Sequence, residues 1–294
     1  MRALCIHAHF DDYEFVAAGT FELLRQRHPG NFQGQLIVCT DGKAGHHFRT
    51  RDETGRMRLH EQRKSAALGH YEFEQLTLPS GEIPREGCID VAPPFLAALW
   101  KAIRSFEPDY IFCPPLPNDP LAGVHIDHWA VAEAVRKVAY MINVPHAFTP
   151  EYPADESKSN PCKVPVILNT YDGYMCGENA FDLAIDVESV FSLVAEQSYC
   201  HQSQISEWLP WVARHQMSAP GSMSEWCQTL RKRFERQNRE FGMPLTPLCE
   251  FFSVTAWGMI PTLAQLERDF PKSIAPTTVA DRLGMRLTRW RREN

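Results

Sequence analysis

The first half of the chain alternates short apolar runs with segments of helical spacing. Apolar runs predict strands over residues 2–8, 35–40, 73–78 and 110–113. Apolar residues recur at helical spacing over residues 15–27, 56–68 and 92–106, and another helix is predicted from His125 onward. Gly69 suits the C-cap of the second of these helices. Strands that alternate with helices indicate an α/β fold with a mostly parallel sheet and helices on both faces.

The second half of the chain is less regular. Its pattern predicts a loop over residues 151–161, a strand over 165–171, and helices over 186–209, 224–241 and 280–292, the first of them interrupted near Cys200 and His201. We therefore expect a catalytic core over residues 1–150. Residues 151–294 are expected to continue the same domain as an irregular C-terminal extension that supplies a substrate wall and helices.

Charge and composition exclude several classes of partner. The 294 residues carry 30 Lys+Arg against 36 Asp+Glu, a net charge of −6, and lack the clustered basic surplus of a nucleic-acid binder. The longest apolar runs are far shorter than the roughly 20 residues of a membrane span. The first residues lack the apolar stretch of a secretory signal, so we expect a cytoplasmic protein. Nine cysteines without a Cys-x-x-Cys pair indicate reduced thiols.

Two polar clusters stand at strand ends of the predicted sheet. His9, Asp11 and Asp12 follow the first strand, and His125-Ile126-Asp127-His128 opens the helix after the fourth strand. In parallel sheets ligands bind outside the carboxyl ends of strands. A catalytic zinc needs three nitrogen or oxygen ligands and an open fourth position, which one loop with His and Asp and a second loop with His can supply. An ordinary N-cap is the structural alternative for the two aspartates.

These segments resemble the LmbE-like / PIG-L family of zinc-dependent N-acetylglucosaminyl deacetylases. Its opening motif is matched by Ala8-His9-Phe10-Asp11-Asp12 with Ala18-Gly19-Thr20, and its later motif by residues 125–128. Residues 40–45 and Arg58-Leu59-His60-Glu61 match two elements between them, and His201-Gln202-Ser203-Gln204 is similar to a further element. Phe10 stands where the family usually has proline.

The resemblance implies a Rossmann-like three-layer sandwich and a role for each motif residue. His9, Asp12 and His128 would bind one Zn²⁺ per chain, and Asp11 would be the general base. His125 would stabilise the oxyanion and assist departure of the amine, with Asp127 tuning it. Arg58 would hold hydroxyl groups of the sugar.

The leading hypothesis is a zinc-dependent amide hydrolase. It would remove an N-acetyl group from an N-acetylglucosamine-type or related small amide and release acetate and a free amine. Two alternatives stay open: a non-hydrolytic sugar- or nucleotide-binding Rossmann-like protein, and a broader N-acyl or thiol-conjugate amidase. The absence of Gly-x-Gly-x-x-Gly after the first strand disfavours dinucleotide binding. The expected partner is a small N-acetylated molecule, with no nucleic acid and no membrane span, and a homo-oligomer stays open.

Overall fold

The computed structural model describes residues 1–155, 161–175, 177–213 and 217–291. Across these ranges no helix is both long enough and apolar enough to cross a bilayer. The loop predicted over residues 151–161 is described in part, and Arg292 of the tail lies outside the described residues.

Among the described residues, seven strands form one sheet, and the five on one side of it are mutually parallel. The strands are β1 Arg2–His7, β2 Gln33–Val38, β3 Glu72–Gln75, β4 Tyr110–Cys113, β5 Val166–Thr170, β6 Leu183–Asp186 and β7 Cys249–Val254. Their order is β3-β2-β1-β4-β5-β7-β6, and β7 runs antiparallel to both of its neighbours. The predicted α/β class with a mostly parallel sheet is confirmed.

The helices lie between and after the strands. They are α1 Asp12–Val16, α2 Ala18–Arg27, α3 Arg51–Gly69, α4 Pro93–Phe106, α5 Ile126–Ala139, α6 Phe191–Tyr199, α7 Leu209–Ala213, α8 Met223–Glu240, α9 Leu263–Asp269 and α10 Thr277–Arg291. A π-helix over Ser203–Trp208 joins α6 to α7.

Two apolar layers cover the two faces of the sheet, as the alternation of side chains along β1 shows. Ala3 and Cys5 pack on the side of α1, α2, α6 and α8, whereas Leu4 and Ile6 pack on the side of α4 and α5. A strand buried on both faces needs apolar residues at successive positions, which explains why β1 reads as a continuous apolar run. This packing holds the carboxyl end of β1 rigidly at one edge of the sheet.

Several helix boundaries differ from the prediction. The helix predicted over residues 15–27 is two helices, because the chain leaves helical geometry at Ala17 with a φ of −146°. Helix α3 starts before residue 56 because Thr50 and Glu53 form a capping box. Its C-cap is His70 in the left-handed conformation, with a φ of 52°, and Gly69 is the last helical residue, so the predicted C-cap was wrong by one position.

Strands β6 and β7 were not predicted from the sequence. Strand β6 has four residues, and the apolar run of β7 is interrupted by the buried Glu250. The carboxylate of Glu250 accepts hydrogen bonds from the backbone N–H groups of Gly19, at 2.8 Å, and Thr20, at 2.7 Å. Glu250 and Thr20 are 230 residues apart in the sequence, so no local sequence pattern indicates their contact. Only the folded structure explains why a charged residue stands in this strand.

Candidate metal centre and active site

The two predicted clusters meet at the carboxyl edge of the sheet. Nδ1 of His9 lies 3.2 Å from Nε2 of His128. Oδ2 of Asp12 lies 3.3 Å from each of these two nitrogens. The three atoms therefore form a nearly equilateral triangle, although 119 residues separate His9 from His128 along the chain.

The triangle has the dimensions of a tetrahedral zinc site. Nitrogen and oxygen ligands lie about 2.0–2.1 Å from zinc, which separates any two of them by about 3.3 Å. Two histidine nitrogens and one carboxylate oxygen are also a donor set typical of catalytic zinc. His7 and His125 offer further nitrogens nearby. A donor atom of His7 lies within 4.8 Å of those of Asp12 and His128, and one of His125 lies within 4.8 Å of those of His9 and His128. The residues present thus fit a metal ion.

A second layer of carboxylates orients the two histidines. Oδ2 of Asp172 lies 2.9 Å from Nδ1 of His128, and Oδ2 of Asp127 lies 3.0 Å from Nε2 of His9. Each histidine therefore uses one nitrogen for a carboxylate and presents the other to the triangle. This is the arrangement by which proteins fix the tautomer of a metal-binding histidine.

The local charges favour a cation at this place. Burial disfavours protonation of His9 and His128. The charge of Asp12 and the hydrogen bonds to Asp12, Asp127 and Asp172 together outweigh burial, and they raise the pKa to about 10 for His9 and about 9 for His128. Burial opposes ionisation of Asp12 too, but the neighbouring histidines hold its pKa well below the usual range. Three carboxylates around two histidines make a site that accepts positive charge.

Asp11 occupies the N-cap position of α1 without capping it. Its φ is 87°, in the left-handed region, and its side chain makes no hydrogen bond to the helix. The N-cap interpretation of its carboxylate is therefore wrong. The carboxylate lines the same pocket as the triangle, and burial together with the charge of Asp12 raises the pKa of Asp11 to about 7. A strained backbone that aims a free carboxylate at a pocket is typical of a functional position.

His125 is the N-cap residue of α5 and lines the pocket beside His9. Its Nδ1 accepts a hydrogen bond from the backbone N–H of Asp127 at 3.2 Å, so the neutral ring carries its proton on Nε2. Burial and the positive charges of His9 and His128 lower the pKa of His125 to about 4. The ring is thus a neutral donor near neutral pH.

Asp127 has different contacts from those the motif suggests. Its carboxylate binds His9 and accepts the backbone N–H of Gly87 at 2.7 Å, and it makes no hydrogen bond to the ring of His125. Among the described residues no partner reaches its buried Oδ1. An influence of Asp127 on His125 therefore acts through its charge and its backbone N–H, and its tuning role stays a prediction.

Arg58 lies behind the pocket. Its side chain is 1% exposed, its Nη2 donates to the carbonyl of Gly45 at 2.6 Å, and it is not among the described residues that line the pocket. Its positive charge counteracts the raised pKa of Asp11. The predicted contact with sugar hydroxyls stays a prediction.

Sequence reasoning missed several residues of the pocket. The additional residues that line it with a polar or aromatic side chain are His7, Phe15, Glu86, Tyr171, Asp172, Tyr174, Gln204, Trp208 and Arg233. Asp172 directly follows the strand predicted over residues 165–171. Ligands of parallel sheets bind at the carboxyl ends of the strands, which is why His9 was singled out. The same criterion would also have identified Asp172.

Two motif elements far apart in sequence bind each other beside the pocket. Glu61 of α3 accepts hydrogen bonds from the backbone N–H and the hydroxyl of Ser203, at 2.7 and 2.6 Å. His201 is fully buried, and its Nε2 lies 3.2 Å from Oε1 of Glu14. The π-helix that follows brings Gln204 and Trp208 to the pocket wall, and π-helical turns frequently occur at functional sites.

An aromatic stack extends from this wall. Trp208 stacks on Trp211 at 5.2 Å between ring centroids, and Trp211 stacks on His47 at 5.0 Å. Glu207 binds both His46, at 2.8 Å, and Arg49, at 2.6 Å, and so ties this loop to the π-helix. His46 and His47 are thus structured residues beside the pocket.

A protein-family model matches the segment of the chain that contains both polar clusters. Residues 4–139 match the model described as PIG-L: GlcNAc-PI de-N-acetylase, a span that contains His9, Asp11, Asp12 and residues 125–128. This segment, residues 4–139, belongs to the PIG-L / LmbE-like deacetylase family. Among curated proteins, the sequence comparison finds no match.

Solved structures of this fold include deacetylases and a hydratase. The N,N'-diacetylchitobiose deacetylase from Pyrococcus horikoshii is 19% identical, with a TM-score of 0.65 over 87% of this chain and 84% of that one. GalB, the 4-carboxy-2-hydroxymuconate hydratase from Pseudomonas putida KT2440, is 14% identical, with a TM-score of 0.56 over 94% and 96%. A deacetylase in the biosynthesis pathway of teicoplanin is 13% identical, with a TM-score of 0.52 over 87% and 99%. These likenesses show the fold of the chain.

Proposed function

We propose that this PIG-L family protein is a zinc-dependent hydrolase that removes the N-acetyl group of an N-acetylglucosamine-type or related small amide. The products would be acetate and a free amine. The observation that carries the proposal is the triangle of His9 Nδ1, Asp12 Oδ2 and His128 Nε2, with sides of 3.2–3.3 Å, in the same pocket as the uncapped carboxylate of Asp11.

His9, Asp12 and His128 would hold one zinc ion per chain. Bound there, zinc would supply a Lewis acid that polarises the acyl carbonyl and lowers the pKa of water. Asp127 and Asp172 keep the two histidine rings in place by accepting hydrogen bonds from Nε2 of His9 and Nδ1 of His128. The chain thus supplies both the ligands and the contacts that preorganise them.

Asp11 would take the proton of the attacking water. A general base works best when its pKa lies near the operating pH, and burial beside Asp12 raises the pKa of Asp11 toward that range. Its left-handed backbone aims the carboxylate at the pocket instead of at the N–H groups of α1.

His125 would stabilise the negative charge that develops on the carbonyl oxygen and then assist departure of the amine. The backbone contact of its Nδ1 leaves the Nε2–H available as a donor. A donor oriented before the reaction contributes to oxyanion stabilisation without reorganisation. Asp127 would tune this ring through its charge, and Arg58 would assist binding of the sugar.

Two observations support a sugar-containing substrate. The matching family model describes a de-N-acetylase of GlcNAc-PI, and the chitobiose deacetylase of the same fold acts on an N-acetylated sugar. The stack of Trp208, Trp211 and His47 offers flat aromatic surfaces beside the pocket, suited to the apolar face of a ring.

The competing functions lead to different products. A non-hydrolytic binding protein would release nothing, whereas an N-acyl or thiol-conjugate amidase would prefer other acyl groups or conjugates. GalB has the same fold and is a hydratase, so the fold alone does not select hydrolysis of an amide.

The test measures acetate and free amine separately. Zinc-loaded protein is incubated with N-acetylglucosamine, N,N'-diacetylchitobiose, an N-acetylglucosaminide of inositol, a thiol conjugate of N-acetylcysteine, and longer N-acyl analogues. We expect equimolar acetate and amine from N-acetyl sugars, and loss of activity after chelation that zinc restores. Failure to cleave any of these amides by a protein that contains zinc would contradict the proposal.

A further inference from the structure

Arg233 reaches the proposed active site from α8, in the half of the chain that the family model does not match. It lines the same pocket as His9, Asp12 and His128. Its guanidinium carbon lies 4.1 Å from the centre of the Phe15 ring. Its Nη2 lies 4.0 Å from the point where a Cβ on Gly173 would stand, so the loop after β5 passes close to it. The side chain is therefore held between α1 and this loop.

The guanidinium of Arg233 has no polar partner among the described residues. Its Nε is buried without a hydrogen bond, and in the part of the chain that the structure describes no carboxylate oxygen lies within ion-pair distance of its nitrogens. Arg231, two residues earlier on the same helix, donates to Glu188 at 2.7 Å. Arg233 is partly buried. Burying part of a cation without a partner is costly, and the contact with the ring of Phe15 offsets only some of that cost.

The other described residues that line the pocket leave the guanidinium of Arg233 unpaired. Among the described residues that line it, Arg233 is the only lysine or arginine. Asp11 acts on it through space, but a direct ion pair would occupy the carboxylate that we propose as the base. A guanidinium presents paired donors that match a carboxylate or a phosphate. An anionic group on a ligand would supply the acceptors that these donors lack.

We propose that Arg233 is a specificity residue that binds a carboxylate or phosphate carried by the acylated substrate, apart from the amide that is cleaved. This inference rests on the proposed deacetylase function. It narrows the substrate class from N-acetylated small molecules in general to anionic ones.

The test compares matched neutral and anionic substrates. Acetate release by the zinc-loaded protein is measured with N-acetylglucosamine, N-acetylglucosamine 6-phosphate, N-acetylglucosamine 1-phosphate and N-acetylmuramic acid, the last carrying a carboxylate. We expect kcat/KM to be higher for at least one anionic sugar than for the neutral one. A charged hydrogen-bonded contact corresponds to about 10- to 100-fold in binding.

Variants assign that preference to Arg233. In Arg233→Gln the ratio of anionic to neutral kcat/KM should fall about 10- to 100-fold, mainly through KM, and Arg233→Lys should recover part of it. Arg239→Gln, an exposed arginine on the same helix, should leave the ratio unchanged. Zinc content and melting temperature verify that the variants are folded. If Arg233→Gln does not fold, the preference of the wild type for anionic over neutral sugars decides whether the anion site exists.

A binding measurement separates this inference from the proposed function. Calorimetry with the three anionic sugars and with inorganic phosphate is performed on zinc-loaded wild type and Arg233→Gln. If no amide is cleaved but anion binding depends on Arg233, the deacetylase function is wrong and the anion site stands. If the wild type neither prefers an anionic sugar nor binds it more tightly than the variant does, the anion site is wrong.

Discussion

Nδ1 of His128 lies 2.9 Å from Oδ2 of Asp172, and this contact leaves Nε2 of the ring directed at His9 and Asp12. Asp172 comes from the end of β5, in the half of the chain where the sequence pattern is least regular. Asp172, which lies beyond the matched family segment, thus orients the ring of His128, a proposed zinc ligand within that segment.

Replacing Asp172 should weaken zinc binding. Asp172→Asn keeps the shape of the side chain but removes its negative charge, and loss of such an outer partner typically costs 10- to 100-fold in metal affinity. Competition with a chromophoric chelator measures this. Asp90→Asn, an exposed acid, is the control. Equal zinc affinity of Asp172→Asn and wild type would show that Asp172 does not support the ligand.

Replacing Asp11 should separate catalysis from metal binding. Asp11→Asn should lower kcat by about 10² to 10⁴ because the side chain no longer accepts a proton, while zinc stays bound. Acetate release and metal analysis on the same sample give both values. Parental turnover in this variant would eliminate Asp11 as the base.

The two histidines at the start of α5 should differ in their effect on zinc. His128→Ala removes one corner of the triangle and should abolish stoichiometric zinc. His125→Ala should retain zinc but lose turnover, because its ring would act on the substrate. Metal analysis of the two purified variants makes the comparison. Loss of zinc from both variants would favour the alternative set of His9, His125 and His128.

Glu250 should matter for stability and not for the metal. Each carboxylate oxygen of Glu250 accepts one backbone N–H, and Glu250→Gln replaces one of these oxygens with an NH₂ donor. The change should therefore destabilise the fold by about 1–3 kcal/mol. Urea unfolding of this variant and of Glu267→Gln, an exposed control on α9, checks it. Equal midpoints for the variant and wild type would show that the contact does not stabilise the native state.

Much of the parallel half of the fold follows from local pattern. The strand predicted over residues 110–113 is β4 as observed, and α4 and α5 begin within one residue of their predicted starts. Apolar periodicity acts over one element at a time, which is why these elements are visible in the sequence. The break at Ala17 and the strands β6 and β7 depend on distant contacts, so the pattern does not contain them.

The motif residues show the same division. The sequence by itself determined which side chains follow β1 and which open α5, the helix after β4, because strand–helix alternation brings the segments after parallel strands to one edge of the sheet. Only the tertiary structure decided that Asp127 binds His9, that Asp172 binds His128, and that Arg233 enters the pocket unpaired. Each of these depends on distances between side chains, and such distances arise when separate elements pack together.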